Sequence, residues 1–89
     1  MLELTTSSRF RRELKKVLRD GRDKAKLASI TDALIAGRPL PQAICDHALS
    51  GEWRGYRDCH IEPDWVLIYR KSKTAIHLER TGSHSDLFR

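Results

Sequence analysis

Trp65-Val66-Leu67-Ile68-Tyr69 is apolar without a break. Five such residues, bounded by Glu62-Pro63-Asp64 on one side and a charged stretch on the other, are too few for a helix. They read as a central β-strand covered on both faces. Two more β-like runs flank it, so that strands are expected at about residues 53–60, 65–70 and 74–80, separated by Glu62-Pro63-Asp64 and Lys71-Ser72-Lys73. Three runs with short, turn-forming links make an antiparallel meander.

The cover for that sheet lies upstream. Phe10, Leu14, Val17 and Leu18 fall at helical spacing, while Arg9, Arg11, Arg12, Lys15, Lys16 and Arg19 occupy the remaining positions. This gives an amphipathic helix with a basic outer face. Asp20-Gly21 interrupts the pattern, and a second period, Leu27, Ile30 and Leu34, runs from about Asp23 to a glycine stop at Gly37. The pair reads as an antiparallel helical hairpin. Before it, residues 1–4 alternate as a short opening strand, and Thr5-Thr6-Ser7-Ser8 offers a helix N-cap. Pro39 and Pro41 open an irregular connection through His47 to Gly51, and residues 82–89 form a turn or tail packed back on the sheet. The expected class is α+β, in one domain spanning residues 1–89.

Seventeen Lys and Arg against 12 Asp and Glu give a net charge of +5. A cationic surface attracts phosphate backbones, so nucleic acid ranks first as partner, acidic protein second and membrane last. No apolar run approaches the roughly 18 residues of a membrane span, and a cytoplasmic location with no membrane partner is expected. Cys45 and Cys59 form no CxxC pair and read as free thiols.

Three histidines, His47, His60 and His84, lie in or beside connections, each near Asp46, Asp58, Asp64 or Arg80. Connections on a rigid scaffold can converge in space. Metal-free RNA cleavage needs a base for the ribose 2′-hydroxyl, a cation for the charge growing on phosphorus and an acid for the departing 5′-oxygen. Imidazole, carboxylate and guanidinium supply those roles, and Trp65 or Phe88 offers a ring on which a base could stack. Arg11, Arg12, Lys15 and Lys16 are candidate RNA contacts, set against the plain reading of a solvated face. His77 lacks a matching neighbour and reads as structural; Trp53, Trp65 and Tyr69 also suit a core. A zinc site built from Cys45, His47, Cys59 and His60 does not fit the usual ligand spacing, so neither metal nor other cofactor is expected. By strand alternation Arg80 shares a side with Ile76 and Leu78. A non-catalytic, basic nucleic-acid-binding regulator is the alternative.

The pattern D-H-x-L-x-G-x-W-x-G-Y-R-D-x-H-x-x-P-D-W from Asp46 to Trp65, followed by Glu79-Arg80-Thr81-Gly82-Ser83-His84 and Leu87-Phe88, resembles the YafQ group of RelE-superfamily toxins. The resemblance implies a RelE-like fold, with a two-helix hairpin on a curved, mainly antiparallel sheet that the N-terminal strand joins. It further implies a toxin that cleaves mRNA in the ribosomal A site of the 30S subunit, beside 16S rRNA, by metal-independent 2′-hydroxyl attack, and a cognate antitoxin partner. Carried over by position, it makes His47, Asp58, His60 and Asp64 the acid/base and orienting group, with the choice of base left open. His84 becomes the candidate general acid, Arg80 the phosphate clamp, and Trp65 and Phe88 shape the site.

Overall fold

Ser7 opens the first helix by accepting a hydrogen bond from the Phe10 N–H, and Asp23 opens the second by accepting from the Ala25 N–H. Between these caps and the polar turn at residues 20–22, the two apolar periods become α1 (Ser8–Arg19) and α2 (Lys24–Ile35). The computed structural model describes residues 2–88. Five strands follow the order β1-β5-β4-β3-β2, comprising β1 (Glu3–Thr6), β2 (His47–Ala48), β3 (Arg57–Glu62), β4 (Trp65–Lys71) and β5 (Ala75–Gly82). The meander β3-β4-β5 is antiparallel as expected, and β1 joins it parallel to β5, so the sheet is mixed yet mainly antiparallel, as the resemblance implied. The opening strand is also displaced from the expected 1–4, and Met1 lies outside the described residues.

The central strand is buried on both faces, and alternation assigns each side chain to one of two layers. Trp65, Leu67 and Tyr69 pack with Phe10, Val17, Leu27, Ile30 and Leu34, forming the core under the two helices. Val66 and Ile68 point the other way, against Leu87 and the half-buried Leu49, Trp53, Tyr56 and Phe88. The second cover thus comes from the segment before β3 and from the C-terminal helix α3 (His84–Leu87).

The fold departs from the sequence expectation at two further places, both on the side of the sheet opposite the helices. Strand β3 begins at Arg57 rather than Trp53, because Gly51 and Gly55 adopt positive φ (66° and 91°) and curl the intervening residues into a turn. That turn sets the Trp53 and Tyr56 rings edge to face, 5.3 Å apart. Moreover, the connection expected to be irregular contains β2, which pairs His47 with Asp58. No helix among the described residues is long and apolar enough to cross a membrane.

Candidate active site

Because β2, β3 and β4 are antiparallel, residues opposite one another share a face. His47 lies opposite Asp58, and Asp58 opposite Ile68, which places all three on the face turned away from α1 and α2. His60, two residues along β3, joins them, whereas Cys59 and Ile61 turn into the helical core. Asp58 is only 2% exposed. His47 Nδ1 approaches its Oδ1 to 2.9 Å, yet the same nitrogen makes its hydrogen bond, also 2.9 Å, with the Cys45 carbonyl. Asp58 Oδ1 consequently receives no well-aligned hydrogen bond. Burial raises the Asp58 pKa above the usual carboxylate value, and the fields of His47, His60 and His84 oppose that rise.

His84 reaches this group from the other end of the chain. Ser83 caps α3 through a capping box with Asp86, and the Asp64 carboxylate accepts the His84 backbone N–H at 3.1 Å. The turn between β3 and β4 thereby fixes the first residue of α3. The His84 ring stands 5.6 Å from that of His60 and 5.0 Å from that of Phe88. Imidazoles from distant parts of the chain share one patch with a buried carboxylate.

Arg80 reaches the same face through a break in register. Ile68 pairs with Arg80 but Tyr69 pairs with Leu78, so Glu79 is an extra residue, and everything after it changes side. The expectation that Arg80 would lie with Ile76 and Leu78 is corrected by this bulge. A transverse row results: Arg80, Ile68, Asp58 and His47 on four neighbouring strands. Its guanidinium, however, turns to α1 and is held there by the Glu13 carboxylate.

The sequence model of a family described as bacterial toxin of type II toxin–antitoxin system, YafQ, matches residues 2–89. The chain belongs to the YafQ toxin family. It is 39% identical over 87 residues to the mRNA interferase toxin YafQ of Escherichia coli K12, covering 97% of this chain and 95% of that protein. The crystal structure of YafQ from E. coli BL21(DE3) superimposes with a TM-score of 0.94 at 37% identity, over all of both chains. The crystal structure of the E. coli DinJ-YafQ complex matches over all of both chains with a TM-score of 0.92 and 38% identity.

Within this YafQ-family fold one expected site residue moves to a different role. Trp65, read as a base-stacking ring, is 0% exposed and sits in the helix-side core. Its Nε1–H donates to Thr81 Oγ1 at 2.8 Å, and the Arg22 guanidinium lies 6.0 Å from its ring centroid. A base has no free face of this indole to stack on. Phe88, half-buried beside His84, keeps a position next to the histidines. Arg11, Arg12, Lys15 and Lys16 are exposed along α1, with Arg11 also donating to the Thr6 carbonyl and hydroxyl. His77 bridges Thr5 and Glu79, the structural part expected of it.

The four zinc candidates do not converge as ligands. Cys59 and His60 are consecutive strand residues and face opposite sides, and burial pushes the Cys59 thiol up to about 12. Among the described residues no group of three or more His, Cys, Asp or Glu is arranged to hold a metal ion. Sequence reasoning overlooked Glu13 and Thr81, as well as the Ser83/Asp86 box, whose S-x-x-D spacing was a usable signal. It also missed Asp46 as a tie: Arg57 and Tyr69 both donate to its carboxylate, Tyr69 at 2.6 Å, and anchor the residue before His47.

Proposed function

We propose that this toxin is a cytoplasmic, ribosome-dependent endoribonuclease that cuts mRNA in the A site by attack of a ribose 2′-hydroxyl on the adjacent phosphate. The observation that carries the proposal is the meeting of His47, Asp58, His60 and His84 on one sheet face. Either His47 or His60 removes the 2′-hydroxyl proton while the O2′–P bond forms. Asp58, buried beside them, stabilises whichever imidazole takes up the proton. Charge accumulating on the phosphoryl oxygens is met by Arg80, whose planar guanidinium suits two oxygens at once. His84, in its protonated form, gives a proton to the 5′-oxygen as the P–O5′ bond breaks. The products are a 2′,3′-cyclic phosphate and a free 5′-hydroxyl, and no metal or other cofactor enters the balance.

Asp64 orients rather than reacts, since it holds the backbone of His84. Phe88 flanks His84 and offers a ring against a displaced base. The positive charge, with Arg11, Arg12, Lys15 and Lys16 exposed on one helix, favours a ribosomal RNA surface as the docking partner. A cognate antitoxin is the expected protein partner, as in the E. coli DinJ-YafQ toxin–antitoxin complex. Incubating purified toxin with translating ribosomes and mapping 5′ ends tests the reading. Cuts within codons that vanish with His84→Ala, in variant protein whose circular dichroism and melting match wild type, are expected. Undiminished cutting by that variant removes His84 from the chemistry, and cutting of naked mRNA at the same rate removes the ribosome.

A further inference from the structure

We infer that Glu13, a residue of α1 outside the recognisable motif, is the positioning residue for Arg80. The inference rests on the reading of Arg80 as the group that meets the phosphate. A guanidinium carries five N–H donors in a fixed plane, arranged as a side edge (Nε and one Nη) and an end edge (both Nη). Glu13 receives Arg80 Nε–H at 3.1 Å to one oxygen and 3.3 Å to the other, and Nη2 as well. The side edge is therefore occupied and the end edge, with Nη1, is left to grip two oxygens of a second anion. An arginine held this way is aimed before substrate arrives, and its rotameric freedom is lost on folding instead of on binding.

Glu13 is itself fixed. It accepts the backbone N–H of Thr81 at 3.3 Å, so the carboxylate is pinned to the same strand that carries Arg80. The pair is largely withdrawn from water, with side chains 12% and 22% exposed, which strengthens it relative to a surface ion pair. The bulge at Glu79 turns Arg80 to the face of Asp58, and the Glu13 contact draws its guanidinium to the α1 end of that row. Beside the pair opens a cleft of about 200 Å³ lined by Glu13, Lys16, Arg80, Gly82 and Asp86. It has room for a phosphate group, and Lys16, 4.0 Å from the Asp86 carboxylate, stands at its wall.

The test uses full-length toxin with translating ribosomes carrying a defined mRNA, comparing wild type, Glu13→Gln, Glu13→Ala, Arg80→Ala and the Glu13→Ala/Arg80→Ala double variant. Glu13→Ala is expected to lower kcat by about 10- to 100-fold with little change in KM, the signature of misaimed rather than absent binding. In the Arg80→Ala background the same change is expected to cost nothing further, because it acts only through Arg80. Thermal unfolding of each variant sets the folded fraction used to normalise rates, and the near-isosteric Glu13→Gln keeps the comparison open should the alanine variant fold poorly. Unchanged or faster cleavage by folded Glu13 variants, or an equal loss in the Arg80→Ala background, overturns the inference while wild-type cutting leaves the endoribonuclease reading standing. Absence of wild-type cutting removes both.

Discussion

Thr81→Val isolates the role of the buried indole. Thr81 Oγ1 accepts from Trp65 Nε1 at 2.8 Å and donates to the Val66 carbonyl at 2.9 Å, in a pocket where Thr81 is 1% and Trp65 0% exposed. Valine fills the same volume without the hydroxyl, so packing is preserved and only polar contacts are lost. Two net hydrogen bonds at about 1 kcal/mol each, with the indole N–H left buried and unpaired, sum to roughly 2–4 kcal/mol. The added buried methyl returns about 0.8 kcal/mol. A loss near 2 kcal/mol lowers Tm by about 8–16 °C in a domain of this size. Circular dichroism melts at fixed protein concentration give the number. Trp65→Phe is expected to lower Tm as well, with RNA affinity per folded molecule unchanged in both variants. A Tm within about 2 °C of wild type for Thr81→Val, or a Trp65→Phe protein that keeps its stability and loses RNA affinity, refutes the reasoning and returns the indole to a stacking role.

Asp58→Asn separates activity from stability. The folded-state pKa of Asp58 is raised above its ordinary value of 3.8, chiefly by burial, so the associated stability is full below that value and is lost as pH rises through the folded value. The asparagine variant should therefore gain Tm relative to wild type as pH is increased from acid to neutral while its cleavage rate falls; parallel Tm curves for the two proteins across that range contradict the assignment. Asp64→Ala removes the acceptor of the His84 N–H at 3.1 Å at an exposed turn, and should cost less than about 1 kcal/mol in denaturant titration while lowering kcat at least about tenfold. Equal, small effects on both would make Asp64 a cap and nothing more. Charge removal at Arg11, Arg12 and Lys15 is expected to weaken ribosome association and to flatten its salt dependence, with the rate of bound toxin unaffected; sedimentation at several salt concentrations measures it.

Much of the molecule could be read from local pattern. The apolar pentapeptide at 65–69, the two helical periods and the turn residues between them each reflect a repeat imposed within a few residues of chain. α1, α2 and the meander accordingly fall close to where those repeats place them. The histidines and carboxylates were visible by residue type and by the motif around them. The short strand at His47 was hidden, because two residues carry no period; only pairing with Arg57 and Asp58 makes them a strand. The second covering layer was equally hidden, since Leu49, Trp53, Tyr56 and Leu87 are scattered and acquire a common direction only by packing on Val66 and Ile68.

Sequence by itself determined the two long helices, the core of the meander and the chemically capable side chains, for all of these depend on residue identity and near neighbours. Tertiary structure decided which way those side chains face. One extra residue at Glu79 reverses parity in β5 and carries Arg80 to the face of Asp58, while alternation along the central strand β4 sends Trp65 into the opposite layer. Whether a strand tolerates such an insertion depends on the strands beside it, and these are fixed by packing across the sheet rather than by any stretch of contiguous chain.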